Sequence, residues 1–226
     1  MKQTLRVVEL FRSIQGESTW AGLPCVFVRL AGCNLQCSYC DTRYASEEPG
    51  AETAVDEVCA RVEDMATRLV CLTGGEPLLQ EAVPALASRL MESGHTVLVE
   101  TNGTLDISRL PAGTVRVMDV KCPGSGECGK TLMSNLSHLE PHDEVKFVMC
   151  DRRDFDWAAD FVRRHRLTDR CRVLFACAVP HPAGTSAAPD TATPRRLAQW
   201  ILDAGLAVRL QLQLHKILWP EKTRGA

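Results

Sequence analysis

The run Cys25-Val-Phe-Val-Arg-Leu-Ala-Gly-Cys-Asn-Leu-Gln-Cys-Ser-Tyr-Cys40 (CVFVRLAGCNLQCSYC) leads from a β-rich stretch straight into three cysteines spaced Cys33-x3-Cys37-x2-Cys40. CVFVRL (25–30) reads as a strand. The cysteines follow at its C-terminal end, where folds built from parallel strands keep their active sites. Thiolates select zinc, copper(I) or iron–sulfur clusters. Structural zinc requires a fourth ligand, and no paired CxxC motifs stand at zinc-ribbon spacing. A four-iron cluster held by three thiolates leaves one iron without a protein ligand, so that iron can bind and activate a small molecule.

Short β-rich runs and helical runs alternate on both sides of this loop. LVCLT (69–73), TVLVE (96–100), VRVMDV (115–120), EVKFVMC (144–150) and RVLFAC (172–177) read as strands. Helical spacing covers 53–67 behind Thr53 as an N-cap, 80–93 up to a stop at Gly94, 154–166 and 193–204. AVRLQLQLHKIL (207–218) reads as a last strand with alternation in its second half. Near-continuous apolar strands alternating with helices predict a parallel sheet wrapped by helices. The chain is too short for a complete eight-fold barrel. The expectation is an α/β fold, an incomplete TIM-type barrel of roughly six parallel strands with outer helices. It forms one domain over 1–226, with a cysteine loop at 31–42 and a C-terminal strand and tail at 207–226. The Gly/Pro/Ser/Ala-rich patches at 111–114, 122–129 and 180–194 read as loops.

A net charge of -2 provides no electrostatic footprint for nucleic acid or an anionic membrane. No apolar run approaches the ~20 residues of a membrane helix, and no signal peptide opens the chain. The expected location is the cytoplasm. Eleven cysteines are many for 226 residues, and the number is odd. In a reducing compartment they divide into metal ligands and plain buried thiols. Cys25, Cys59, Cys71, Cys150, Cys171 and Cys177 stand in apolar or amphipathic runs and read as small core hydrophobes.

CxxxCxxC after a first strand, with Tyr39 before the last cysteine, resembles the signature of the radical S-adenosylmethionine (SAM) superfamily. The resemblance implies a 4Fe-4S cluster on Cys33, Cys37 and Cys40, with SAM chelating the open iron and cleaved to a 5′-deoxyadenosyl radical. Thr73-Gly-Gly-Glu-Pro77 is similar to the superfamily's GGEP element, which implies SAM contacts from Gly74, Gly75 and Glu76. As structure alone it is a strand-to-helix turn whose glycines allow close backbone approach. Glu100-Thr-Asn-Gly103 resembles the ETNG element, though Asn102-Gly103 is also a good generic turn. Asp119-Val-Lys121 ends the fourth strand at the level where the superfamily contacts SAM. The implied cofactor contacts are therefore Tyr39, Asn102, Asp119, Val120 and Lys121 besides the GGEP residues.

A narrower resemblance rests on Ser13-Ile-Gln-Gly-Glu17, Arg29, Cys40-Asp-Thr42 and the terminal RLQLQLHKILWP (209–220). Together, from about residue 7 to 219, they resemble the 7-carboxy-7-deazaguanine synthase family of queuosine biosynthesis. That resemblance implies conversion of 6-carboxy-5,6,7,8-tetrahydropterin to 7-carboxy-7-deazaguanine with loss of ammonia. The steps implied are hydrogen abstraction at C6, radical ring contraction and return of the hydrogen, so that SAM is used catalytically. It further implies Ile14, Gln15, Gly16, Arg29 and Thr73 as substrate contacts, and Thr42 as a ligand of Mg2+. An electron donor such as flavodoxin or ferredoxin and a homodimer are implied as well. On physical grounds Arg29 suits a carboxylate, which a planar guanidinium pairs bidentately, or else it supports the fold. Gln15 and Gly16 offer an amide and a bare backbone to a donor–acceptor ring edge. Asp41 is the more orthodox magnesium ligand type, or it pairs locally.

A partner-dependent enzyme that installs glycyl radicals shares the small size and CxxxCxxC, but the SIQGE, Arg29 and Cys40-Asp-Thr42 set points to a small carboxylated substrate. An electron carrier or zinc module explains neither the missing fourth ligand nor GGEP. Cys122 and Cys128 are too few for a second metal, and KCPGSGE (121–127) itself resembles the family's loop. FACAVPH (175–181) stands where the family contacts SAM. His215-Lys216 is expected to close the last strand, with a structural role or substrate proximity equally open, and Pro220 to stand near the substrate.

Overall fold

The computed structural model describes residues 3–178 and 191–225. Seven strands form a parallel run: β2 (Pro24–Leu30), β4 (Leu69–Gly74), β5 (Thr96–Thr101), β6 (Val115–Asp119), β7 (Glu144–Met149), β8 (Arg172–Cys177) and β9 (Arg209–Gln211). Two more extend it beyond β2: β1 (Thr4–Ile14) and β3 (Ala51–Ala54), paired antiparallel in the order β3-β1-β2. The sheet ends on β3 at one edge and β9 at the other, so the barrel stays open as expected. Among the described residues its parallel part has seven strands, one more than the rough count. Among the described residues no helix is long and apolar enough to cross a membrane.

The outer layer is α2 (Val55–Glu63), α3 (Val83–Glu92), α4 (Arg152–His165) and α5 (Pro194–Ala204); α1 (Arg43–Glu47) and α6 (Leu214–Leu218) are single turns near the barrel mouth. α4 starts where the Asp151 carboxylate accepts from Asp154 N–H at 3.1 Å, and it ends in Arg163, Arg164 and His165, which oppose the negative end of its dipole. α5 starts at Thr193, whose hydroxyl accepts from Arg196 N–H. Val26, Val28 and Leu30 of β2, with Val70, Leu72, Val97 and Val99, face these helices in one core with Val58, Val62, Leu86 and Leu90. Burial of such side chains, about 1.5–3 kcal/mol each, is the main source of stability here.

Three expectations are corrected. Thr53 is not an N-cap: it lies in β3 opposite Leu5, and its hydroxyl donates to Ala51 O. α2 therefore begins at Val55 behind Ala54, whose side chain makes no cap. Four-residue β3 exists because β1 offers it a ladder, which local propensity does not announce. The last strand ends at Gln211 instead of running through 218. Leu214 N–H turns to Gly16 O at 3.0 Å, and α6 follows, so His215 and Lys216 lie on a helical turn. The loop expected at 180–194 lies mostly outside the described residues.

β6 and β7 are locked at their N-terminal ends by a buried ion pair. Asp143 accepts from Arg116 N–H at 2.8 Å, from the Arg116 guanidinium at 3.0 Å and from Glu140 N–H at 2.9 Å. Both side chains are buried, Asp143 completely. Asp143→Ala leaves a buried guanidinium uncompensated and is expected to cost about 3–5 kcal/mol, measured as a lower urea midpoint.

Candidate active site

The two-residue period that sends Val26, Val28 and Leu30 outward sends Cys25, Phe27 and Arg29 into the barrel. Cys25, Phe27, Leu69, Cys71, Leu98 and Val115 form an apolar floor, closed below by Phe11, stacked on Phe27 at 5.1 Å, and by Trp20. Above this floor the inward residues turn polar. Arg29, Thr73, Glu100, Val117, Asp119, Lys146 and Val148 line a cavity of about 230 Å³ that opens at the C-terminal ends of the strands.

One end of the cavity is the cysteine loop. Cys33, Cys37 and Cys40 all line it, with Cys37 buried and Cys40 exposed. Burial pushes the Cys33 and Cys37 thiols above the ordinary value, and Lys121 opposes it in both. The loop is held from the side by residues 124–127. Glu127 accepts from Gln36 N–H at 2.8 Å, Ser125 O from Ser38 N–H at 3.0 Å, and Gly124 O from the Ser38 hydroxyl at 2.8 Å. Its entry rests on the Thr73–Pro77 turn. A Cβ on Gly74 would stand 2.2 Å from Leu30 O, and one on Gly75 2.2 Å from Gly32 O and 2.7 Å from Cys33 Cβ. Bare glycine is the condition for packing the two loops this closely. Among the described residues no three His, Cys, Asp or Glu side chains converge as ligands of one ion, and each thiolate of a cubane takes a different iron.

Asp119, Lys121 and Tyr39 stand beside the thiols. Lys121 donates to Asp119 at 2.9 Å and lies 5.9 Å over the Tyr39 ring, while Tyr39 OH donates to Val148 O. Burial alone would lower the Lys121 ammonium, but Asp119 and Cys37 hold it above the ordinary lysine value. Asp119 Oδ1 is buried without a hydrogen-bond partner among the described residues and belongs to the cavity wall. Three thiols, an unpartnered acceptor and a glycine-lined approach fit a 4Fe-4S cluster carrying SAM.

At the other end the turn 14–17 enters the barrel. Ile14, Gln15 and Gly16 line the cavity, and Gln15 Nε2 is buried with no partner among the described residues. Gly16 packs so closely that a Cβ would stand 2.4 Å from His215 Nδ1. Glu17 anchors the turn, accepting from Lys146 at 2.6 Å, Gln213 at 2.7 Å and Gln211 at 3.2 Å. Full burial would lower the Lys146 ammonium, yet Glu17, Asp119 and Glu100 hold it well above the ordinary value. Arg29 is fixed by Glu9 at 2.6 Å, and Tyr44 OH donates to the same carboxylate oxygen at 2.7 Å.

Thr42 lines the cavity between the two ends. It occupies the N-cap position of α1 without using its side chain there, so its hydroxyl is left for the cavity, 3.9 Å from Cys40 Sγ. Asp41 pairs locally, 3.0 Å from Lys216 and 3.9 Å from His215. Burial would raise its carboxyl, but a hydrogen bond from His215 and the Lys216 ammonium bring it below the ordinary range.

The cavity thus gathers Ile14, Gln15, Gly16, Arg29, Cys33, Cys37, Tyr39, Cys40, Thr42, Thr73, Gly74, Gly75, Asn102, Asp119 and Lys121. Two of the expected contacts face elsewhere. Val120 points its side chain into the helix-side core. Glu76 is fully buried, accepting from Leu78 N–H at 2.9 Å, Thr101 Oγ1 at 2.9 Å and Asn102 N–H at 2.6 Å, so it shapes the Asn102 turn. Asn102 in turn donates to Asn34 Oδ1 of the cysteine loop at 2.9 Å. Sequence reasoning missed Lys146, Tyr44 and the tail residues Lys222–Gly225, all of which line the cavity. A lysine alternating with Glu144 in the apolar run EVKFVM was the available signal for Lys146. The expected SAM contact in FACAVPH is described only to Ala178, which lines the cavity; His181 lies outside the described residues. Cys25, Cys71, Cys171 and Cys177 are buried, with Cys59 and Cys150 partly so.

Residues 27–119 match the radical SAM superfamily. The 7-carboxy-7-deazaguanine synthase of Koribacter versatilis is 44% identical over 98% of this chain and 100% of its own length. That of Chlorobaculum tepidum is 40% identical, over 98% and 97%. The crystal structure of QueE from Escherichia coli shares the fold, with a TM-score of 0.72 at 20% identity over 92% of this chain and 94% of that one.

Lys146→Met leaves Glu17 without its cation in a site where both side chains are about nine-tenths buried. The expected loss is about 3–5 kcal/mol. In a double-mutant cycle with Glu17→Gln, measured by urea denaturation, the two losses overlap by at least about 1 kcal/mol. Additive losses would remove the pair as the anchor of the 14–17 turn.

Proposed function

The chain belongs to the 7-carboxy-7-deazaguanine synthase family of radical SAM enzymes, and we propose on that premise that it carries out the full reaction: 6-carboxy-5,6,7,8-tetrahydropterin to 7-carboxy-7-deazaguanine, with loss of ammonia and SAM used catalytically. The observation that carries the reading is one cavity lined by three thiols, a buried guanidinium and the Gln15 Nε2 donor, which is buried with no partner among the described residues.

The cluster and SAM, when bound, supply the hydrogen-abstracting radical; the chain supplies binding, orientation and exclusion of water. Arg29 receives the substrate carboxylate. Glu9 and Tyr44 fix its guanidinium, so the group is preorganised before substrate arrives. Gln15 Nε2 donates to the ring, which answers for an amide otherwise buried without a partner. Thr73, held by Glu100 at 3.0 Å, flanks the same ring. Asp119 Oδ1 accepts from SAM, and Lys121 neutralises the charge gathered near Cys37. Gly74 and Gly75 keep backbone open on the cofactor side.

Thr42 would hold magnesium through its hydroxyl oxygen, together with the substrate carboxylate. A hard cation that retains waters needs no larger protein share. Magnesium held there would screen the substrate carboxylate. An external one-electron donor such as a flavodoxin or ferredoxin completes the cycle. The enzyme works in the cytoplasm as a homodimer. Exposed Leu210, Leu212, Ile217 and Leu218 around the free edge of β9 support association of two copies.

Anaerobic reconstitution with iron and sulfide, followed by SAM, reductant, magnesium and the carboxytetrahydropterin, is expected to yield the deazapurine, detected by mass and ultraviolet absorbance. SAM cleavage only in the presence of another protein would overturn the reading in favour of a radical-installing enzyme. Thr42→Ala should keep cluster absorbance and SAM affinity while raising the half-saturating magnesium concentration at least about tenfold, a loss that even outer-sphere partners of metals cause. An unchanged magnesium response would remove Thr42 as a ligand.

A further inference from the structure

Among the described residues four carboxylates line the cavity: Glu17, Asp41, Glu100 and Asp119. Three have a cation in contact, Glu17 with Lys146 at 2.6 Å, Asp41 with Lys216 at 3.0 Å and Asp119 with Lys121 at 2.9 Å. Glu100, at the C-terminal end of β5, has no such partner among the described residues. It accepts from the Thr73 hydroxyl, Oγ1 to Oε2 at 3.0 Å, and from the buried Cys71 thiol of the floor. A carboxylate that accepts from one hydroxyl and one weakly donating thiol keeps acceptor capacity for whatever enters the cavity.

Its position defines what that is. Arg29 pairs in register with Thr73 across β2 and β4, and Thr73 bonds Glu100 on β5. The guanidinium and the carboxylate thus project inward from the same level, two strand spacings or about 10 Å apart at the backbone. A ligand reaching from one to the other presents an anion at one end and N–H donors at the other. An ionised carboxylate only accepts, and it accepts best from two adjacent donors in one plane. The pyrimidine ring of a pterin has such a pair, N3–H and the 2-amino group, on the edge remote from its 6-carboxylate. Gln15 Nε2, a donor, suits the ring's acceptors instead.

We propose that Glu100 is the specificity-determining residue for the pterin ring, accepting from N3–H and the 2-amino group while Arg29 holds the carboxylate. The proposal rests on the pterin reading above and deepens it.

Two air-stable probes test it on the reconstituted holoenzyme with SAM: 6-carboxypterin and 6-carboxylumazine, which carries an oxo group where the pterin has its 2-amino group. Fluorescence titration of the wild type is expected to favour the pterin by at least about tenfold, because the lumazine sets an acceptor against a charged acceptor. Glu100→Gln keeps an acceptor for Thr73 but offers the ring one acceptor and one donor. Its affinity for the pterin should fall about 10- to 100-fold, and the preference should reverse toward the lumazine. SAM affinity and cluster absorbance should not move. Equal wild-type affinities, a Glu100→Gln protein that keeps the pterin preference, or one that loses SAM in place of pterin would each overturn the assignment. If Glu100→Gln fails to fold, the wild-type preference between the two probes decides alone. A wild type that binds neither probe and turns over no carboxytetrahydropterin overturns the substrate reading, and this assignment with it.

Discussion

The Lys146 ammonium is the charge on which the interior of this barrel depends. It projects from the middle of β7 into a space that an ordinary strand would fill with valine, and it holds Glu17 at 2.6 Å with Asp119 3.8 Å away. Through Glu17 it fixes the turn carrying Ile14, Gln15 and Gly16; through Asp119 it reaches Lys121 and the cysteine loop. Two lysines and two carboxylates thus form a nearly neutral string between the two ends of the cavity. Neutrality matters because an unpaired charge at this depth would cost several kcal/mol.

Much of the fold was readable because most parallel strands are continuous apolar runs that can be nothing else. β2 and β4 to β8 fall within a residue or two of their expected bounds. What escaped depended on a partner. TLRVVELFRSI forms β1 although Arg6, Glu9 and Arg12 interrupt it, because β2 supplies the ladder. RLQLQLHKIL alternates as a strand should, yet Gln211 and Gln213 are recruited by Glu17 and the chain turns. Tertiary hydrogen bonds overrode a period-two pattern there.

The site divides in the same way. The cysteine loop, the glycine pair and the 14–16 turn are contiguous, and their spacing announces them. Lys146 is a single polar residue on an inward face and Glu100 opens an element read for its Asn-Gly turn; which face is inward follows only from the curvature of the open sheet. Val120 shows the converse: it sits between two cavity residues in sequence, and the strand period turns its side chain to the other side. Glu76 belongs to a recognisable motif, yet its carboxylate is spent on the backbone of the next turn. Motif membership placed these residues near the cofactor end without stating which atoms face it.

The anchoring of Glu17 also bears on when the cavity comes into being. Its partners lie 129, 194 and 196 positions away, and contacts of such separation form late because the intervening chain must first be ordered. The cysteine loop rests for the most part on earlier neighbours, the β4 turn, the Asn102 turn and the 124–127 segment, with Tyr39 reaching β7 and Asp41 its tie to the C-terminal segment. The cofactor end can therefore take form on the nascent barrel before the substrate end is sealed by the C-terminal segment. Assembly order is built into the chain: a cluster has an open route to its thiols until the tail arrives.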